Sequence, residues 1–566
     1  MKNFFSLGSL VGATLLIVCC VIAFVDCAVL PFVCDSPAHC TAKFKKKMLC
    51  VAGECLPCTD NAKCPEDEKL LPDGGTKVHT PDTGISIDTP TEGSGQEPAV
   101  PEKVVRDNSS TSKSSPLQMT STEEVVVKTL LFDGSGNIYI FGGFRGDLYV
   151  QGTKISPEPN TQFNNGGLQI FVLKLSPSYQ LVWSFLLGMC NGCLPEKAAI
   201  DRSPKGGNKL YASVTVNKQG GAAGFLMFGV VNGTKRATKD PWALFSARGC
   251  KSCKVTGLAF NKDGKLTIAG QFADFLTLPD FSTGQTERSP SRNDGFITTF
   301  TLGEKNPNKN IMTILPFGFV PGYPTATPVL LPGQELLFAS PYFNPNKWSL
   351  PFVPGTEFSR GGRKGGVVLA KYNTTTARFS AATDVFVAGP LYKVSLGTEP
   401  GGGVFLSIKG EGKVGKGNCL TGPDDPRGKA QLSLMYHDKA LLCKWSNYSQ
   451  ADKIIPEAFS VGIEGRKVIH GGSFEGSWRH SSLKSASFNS KGKADIFLAD
   501  IDLAKGEAIK VERIGGEGND ILSDMIFWKK KLHLLGTYTA PFAYQGRSFG
   551  LPAGHKKGVF LVTITP

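Results

Sequence analysis

The stretch FDGSGNIYIFGGFRG, Phe132 to Gly146, reads as a tight turn followed by an apolar strand that ends in Gly-x-Phe. Small, turn-forming residues ahead of a β-branched and aromatic run mark a hairpin rather than a helix. The unit recurs as FNKDGKLTIAGQFAD from Phe260, EGRKVIHGGSFEG from Glu464 and WKKKLHLLGTYTA from Trp528. With weaker copies included, seven such second strands begin at Ile138, Leu210, Leu266, Leu336, Val404, Val468 and Leu532. Seven apolar third strands follow, from Ile170, Gly224, Gly295, Gly366, Ala440, Asp495 and Gly558, with corresponding residues (Ile170, Phe225, Phe296, Val367, Leu441, Ile496 and Val559) 55–74 positions apart. Gly134, Gly206, Gly264, Gly333, Gly401 and Gly465 sit at or beside six of the first hairpins, where a positive φ is expected. The seventh has Lys529, Lys530 and Lys531 instead.

A repeat of this length suits a four-stranded sheet with one long loop, and seven such sheets make a β-propeller. Repeats two, four and five depart from the pattern, which sets the count at seven to within one blade. Fourth strands follow at Trp183, Trp242 and Met312, but Pro566 comes directly after the seventh third strand. The last sheet is therefore expected to be completed from the N-terminal side, by Lys103–Arg106 or Pro116–Thr120, which also removes an exposed edge.

Composition agrees with an all-β chain. The 566 residues include 66 glycines, where average usage would give about 40, and only 19% charged residues. Charge is unevenly spread: residues 1–120 carry a net −3 and residues 121–566 a net +17. Such an excess favours contact with polyanions but does not bear on fold.

The front end divides into three parts. After Lys2 no charge occurs until Asp26, so residues 1–28 read as a signal peptide or an N-terminal membrane anchor. The 22 residues from Phe4 to Val25 would span about 33 Å as a helix, enough for a bilayer. Residues 29–64 hold Cys34, Cys40, Cys50, Cys55, Cys58 and Cys64, a density expected of three disulfides in an exported segment. Zinc held by Cys55 and Cys58 with Cys50 or Cys64 and His39 is the rival, disfavoured because exported thiols oxidise. Residues 65–120 are rich in Pro, Ser, Thr, Gly and acidic side chains and read as a flexible linker. The propeller is assigned to 121–566.

Asp133, Gly136, Asn137, Tyr139, Gly143, Phe144, Phe171, Lys174, Leu175 and Trp183, with Asp495, Phe497 and Asp500 further on, give the body its family likeness. It resembles the SBBP-type β-propeller repeats, which implies a propeller on an exported or surface protein and no particular reaction. The run CVAGECLPCTDNAKCPED from Cys50 resembles the short cysteine-rich modules of the Dickkopf N-terminal type, and implies no particular ligand.

Within the propeller, Cys190-x-x-Cys193 and Cys250-x-x-Cys253 lie one repeat apart, each just after a fourth strand. A four-cysteine zinc site is conceivable there, but disulfides within or between the two loops are favoured outside the cytosol. Cys419 and Cys443 would close a loop of 24 residues, worth about 3 kcal/mol in the chain-entropy model.

Several motifs do not carry chemistry. Gly410, Gly412 and Gly415 match G-x-G-x-x-G, yet Gly417 stands where a phosphate loop needs Ser or Thr, and no helix follows. Asp133–Asn137 and Asn261–Gly264 look like calcium loops without the distal acid, and read as hairpin turns. His470 and His533 fall on second strands, where a lone His packs or hydrogen-bonds. Asp495, Asp500 and Asp502 alternate on a third strand; Asp500 and Asp502 share a face and would serve acid–base work only if they lined the central channel. Trp478-Arg479-His480 and Phe358–Lys364 offer aromatic and basic groups for stacking on sugars. Asn108, Asn232, Asn373 and Asn447 begin glycosylation sequons.

The sequence thus assigns no catalytic, cofactor or metal residues, and no cofactor. It reads as an exported or cell-surface binding protein that displays a propeller to an extracellular glycan or protein, with polyanion contact through its basic face. Intracellular nucleic acid is excluded by export, and the apolar N-terminus offers membrane anchorage. An extracytoplasmic glycan lyase or hydrolase, and a structural surface component, are the alternatives.

Overall fold

The computed structural model describes residues 48–51, 54–57 and, with breaks that include 231–241, 302–310 and 316–328, residues 117–565. The chain divides into two compact units, Met1–Lys103 and Val104–Pro566. In the first, Met48–Val51 and Glu54–Pro57 form an antiparallel hairpin with Cys50 opposite Cys55. The proposed signal, the rest of the cysteine module, most of the linker and Lys103–Arg106 lie outside the described residues.

The second unit contains no helix among its described residues and is built of antiparallel sheets. The first sheet runs Val125–Phe132, Ile138–Phe144, Gln169–Leu175 and Leu181–Leu187. The second, third and fourth repeat that order, beginning with Cys193–Asp201, Lys254–Phe260 and Val329–Leu331. Leu391–Thr398 opens the fifth, and the 22-residue strand Cys443–Glu464 serves as fourth strand there and first strand of the sixth. Ile521–Trp528 opens the seventh. First strands touch one another in sequence order, and Ile521–Trp528 returns to touch Val125–Phe132. The unit is therefore a β-propeller whose first strands surround a central channel, with seven four-stranded sheets among the described residues.

Ring closure comes from the N-terminal side. Met119–Ser121 pairs with Val559, Gly558 and Lys557 as the fourth strand of the last sheet, close to the second of the two expected segments. Leu148–Val150 then pairs with Met119–Ser121, so a loop of the first sheet covers the edge of the last.

The Gly-x-Phe signature has a steric cause. Gly142, Gly270 and Gly536 on second strands stand opposite Phe171, Phe296 and Phe560 on third strands. A Cβ on Gly142 would lie 2.8 Å from the Phe171 ring and 2.3 Å from the Val126 carbonyl, so the ring occupies the place of the missing side chain. Apolar clusters then fill the wedges between sheets; one joins Val125, Val127, Leu130 and Phe171 to Leu535, Val559 and Leu561 across the closure.

Two local expectations need correction. The third strand of the fifth sheet is Ala430–His437, not the run from Ala440. Residues 438–442 form a turn with Leu441 at φ 61°, because Asp438 caps it by accepting the Ala440 and Leu442 N–H groups. In the first hairpins the positive-φ residues are Gly136, Gly264 and Gly402, rather than Gly134 and Gly401; Gly206, Gly333 and Gly465 lie outside the described residues. Gly410–Gly415 is a strand end and loop whose Val414 and Gly415 pair with Val387 and Phe386 of the neighbouring sheet.

Candidate functional site

First strands share little sequence, yet five of them break register at an equivalent place. The shifts fall at Val127/Thr129, Pro195/Lys197, Val255/Gly257, Leu391/Lys393 and Leu522/Asp524. The extra residues are Lys128, Glu196, Thr256, Tyr392 and Ser523. A bulge re-aims side chains and interrupts pairing, and bulges gather beside functional sites. Here they sit on the innermost strands, so the side chains they turn belong to the channel.

Lys128, Glu196, Lys197, Tyr392, Lys393, Ser523 and Asp524 are all half-buried. Asp524 of the seventh sheet interacts electrostatically with Lys197 of the second and Lys393 of the fifth. Neither sheet adjoins the seventh, and the space the sheets share is the channel. Lys197 also feels Lys128 of the first sheet and Lys254 of the third. Lys254 is paired with Glu196 at 3.3 Å, and Glu196 accepts the Thr215 hydroxyl at 2.7 Å.

Asp524 is fixed by backbone. Its Oδ2 accepts the Leu130 N–H of the first sheet at 2.8 Å, and Oδ1 accepts its neighbour Met525 N–H at 2.9 Å. Burial pushes its carboxyl above the usual range, opposed by Lys197 and by the two N–H groups. Burial likewise holds the Lys197 ammonium below its usual range, opposed by Asp524. Burial thus acts on two opposite charges at once, Lys197 and Asp524, and each offsets part of the other's desolvation.

Residues singled out from sequence fall elsewhere. Asp500 and Asp502 lie on a third strand, two strands out from the channel; Asp500 pairs in register with Lys510, and Asp502 caps a turn by accepting the Ala504 and Lys505 N–H groups. Trp478 is buried and stacks on Phe488 and Phe497 at centroid distances of 4.6 and 5.0 Å, and His480 is buried beside it. Neither offers a stacking surface. Phe358 closes a short strand, and residues 359–364 lie outside the described residues. His470 shares a hydrogen bond with Ser407 at 2.8 Å, and His533 with Thr563 at 3.0 Å. Asn447 is buried and donates its amide to the Gly506 carbonyl at 2.6 Å, so the folded chain withholds that sequon from modification.

The cysteines are partly placed. Cys419 and Cys443 form a disulfide. Cys193 and Cys253 are both disulfide-bonded and hold matching positions, three residues before the bulged Glu196 and Thr256. Cys190, Cys250, Cys34, Cys40, Cys58 and Cys64 lie outside the described residues. The channel side chains were missed in the sequence because a bulge is a property of pairing; the doublets Lys128-Thr129, Glu196-Lys197, Tyr392-Lys393 and Ser523-Asp524, polar interruptions inside apolar first strands, were the available signal.

No family model matches the chain, and no curated protein matches it. Among solved structures it is similar to the quinohemoprotein alcohol dehydrogenase of Comamonas testosteroni, with 10% identity, a TM-score of 0.36, and coverage of 79% of this chain and 76% of that one. It is similar to the NanB sialidase of Streptococcus pneumoniae at 11% identity and a TM-score of 0.31, covering 78% and 69%. A DUF4221 family member from Bacteroides vulgatus has 8% identity and a TM-score of 0.28, with 80% and 100% covered. The propeller assignment rests on the strand pairing described above.

Proposed function

We propose that the chain is an exported or surface-displayed binding protein, of the SBBP type and with a Dickkopf-like cysteine module at its front, that presents its propeller to an extracellular glycan or protein. The observation that carries this reading is the set of charged side chains turned into the central channel by bulges at matching places on the inner strands. Charges placed at a propeller's axis add nothing to packing and are costly to desolvate, so a ligand that meets them accounts for their position. The basic excess of residues 121–566 supports an acidic partner.

The test is binding of the purified chain, after export, to arrayed glycans and extracellular proteins at low and at physiological salt. Saturable binding to one ligand class at physiological salt is expected. Equal attraction to every polyanion that disappears with salt, or turnover of a bound glycan, would overturn the reading.

A further inference from the structure

The turn that joins the first two strands of the seventh sheet departs from its counterparts. Trp528 pairs with Lys531, so Lys529 and Lys530 are the whole connection, and both hold a positive φ, 48° and 65°. A two-residue hairpin of that geometry prefers Asn and Gly, because a Cβ is disfavoured in the left-handed region. The first, third and fifth sheets place Gly136, Gly264 and Gly402 at positive φ in the matching turns. Strain of this kind gathers at functional sites. Lys529, Lys530 and Lys531 are all exposed.

Arg202, exposed just beyond the first strand of the second sheet, comes to the same place. Its Nε and Nη2 donate to the Phe132 carbonyl of the first sheet at 3.1 and 2.7 Å, and its guanidinium lies 5.2 Å from the Trp528 ring centre. Lys529 Nζ lies 5.9 Å from the same ring and 3.7 Å from where a Cβ on Gly136 would be. Cations of the second and seventh sheets thus gather around the first turn of the first sheet, at the end of the channel to which the first strands lead. Asp133, whose charge reaches Arg202, is buried and already held by Lys174 and four donors. Among the described residues none of the four cations forms an ion pair, and residues 203–208, which follow Arg202, contain no acid.

We propose that this turn surface is a docking face for an acidic polysaccharide, whose sulfate or carboxylate groups meet Lys529, Lys530, Lys531 and Arg202. The inference rests on the binding reading above and names its surface and its ligand chemistry. Each Lys is a compact charge with three rotatable donors, which suits anionic groups spaced along a chain, and Arg202 keeps its Nη1 donors uncommitted. A stiff chain loses little freedom on lying along projecting turns. A flexible acidic peptide loses more, and a projecting turn gives it little burial in return.

Calorimetric titration of the full chain in physiological salt tests this. The probes are heparin fragments and oligogalacturonate of fixed length, with dextran as the uncharged control and polyglutamate as the acidic peptide. Saturable binding of at least one acidic polysaccharide, tighter than that of polyglutamate, is expected, with no binding of dextran. Lys529→Asn combined with Lys530→Gly supplies the residues the turn prefers, so this variant should melt higher than wild type yet bind about tenfold or more weakly. Lys439→Gln combined with Lys505→Gln removes two exposed lysines from other turns and should change affinity by less than about threefold. No saturable binding of either polysaccharide, or unchanged affinity in the turn variant, would overturn the proposal. Equal weakening in the two double variants would also do so, by reducing the effect to net charge, as would tighter binding of polyglutamate, which makes the partner a peptide. A glycan or protein ligand held equally by wild type and the turn variant would sink this surface while leaving the binding function standing.

Discussion

The first sheet and the seam that joins the fifth, sixth and seventh sheets bury polar groups in opposite ways. In the first sheet Asp133 is 1% exposed and fully answered. Its Oδ1 accepts the Ser135 and Asn137 N–H groups, and its Oδ2 accepts the Asn137 amide at 2.8 Å and the Tyr139 hydroxyl at 3.2 Å. Lys174 stands 3.6 Å away, over the Tyr139 ring. Burial would raise this carboxyl, yet the Asn137 hydrogen bonds, helped by Lys174 and Tyr139, hold it below the usual range. These are residues that carry the SBBP likeness, and here they staple a turn to a strand.

The seam is only half answered. His470 and His480 each use one ring nitrogen, and His437 Nδ1, His470 Nδ1 and His480 Nε2 have no partner. Burial drops His437, His480 and His533 to about 4 and His470 to about 3, where His480 adds to the effect. Asp495 and Asp520 are wholly buried, each with an unpartnered Oδ1, and both face Gly515, where a Cβ would lie 2.5 Å from one carboxylate and 2.9 Å from the other. Burial, reinforced by Asp495, lifts Asp520 to about 7. The same four-stranded unit can thus hold its buried charge in a pH-insensitive or a pH-sensitive form, depending on whether donors and acceptors are matched.

The largest expected effect is acid lability of the seam. A histidine whose folded pKa is depressed contributes stability above pH 6.5 and loses it as pH falls toward 4, because the unfolded state takes up the proton first. For four such histidines the loss at pH 5 is on the order of 5–8 kcal/mol. Thermal melts between pH 5 and 8 should show it, and hydrogen exchange should open residues 430–540 before the first sheet. Simultaneous opening of both would break the comparison.

Next comes Asp133→Ala, which strands the buried Lys174 and four donors; about 3–5 kcal/mol should be lost in denaturant unfolding, with little change between pH 6 and 8. A loss under 1 kcal/mol would show the first sheet to be no better answered than the seam. Asp520→Asn should act in the other direction. An acid with a raised folded pKa loses stability as pH rises from 4 through 7, so the variant should gain about 2–4 kcal/mol at pH 8 and nothing at pH 4. Equal stability of variant and wild type at pH 8 would show that the Asp495–Asp520 pair is answered after all. The smallest effect concerns the departing hairpin, where Lys529 and Lys530 hold φ 48° and 65°. Lys530→Gly should raise stability by about 0.5–1 kcal/mol, read as a small shift in melting temperature.

Much of the architecture was readable from local residues. The turn, the apolar strand and Gly-x-Phe repeat because each sheet needs a positive-φ turn residue and a space for the third-strand ring, and both demands act within one unit. The N-terminal closing strand followed from an unfilled edge. The fifth sheet was misread where the second half of the turn, Ala440–Leu442, is apolar, so that ALLCKW outcompeted the real strand AQLSLMYH as a pattern. Trp478 was taken for a surface aromatic because its neighbours are Arg479 and His480, and nothing in that run reveals that Phe488 and Phe497 cover it.

By itself, then, the sequence determined that this chain forms repeated antiparallel sheets, that its front end carries a cysteine-dense module, and that its body is basic. Those properties depend on side chains that act over a few residues, or on plain charge counting. Only the tertiary structure decided that Lys128, Lys197, Lys393 and Asp524 meet, and that Asp495 and Asp520 are buried together. Residues hundreds of positions apart are brought to one axis or one seam by ring closure, and the bulges that turn them arise from pairing between strands, which no single strand encodes.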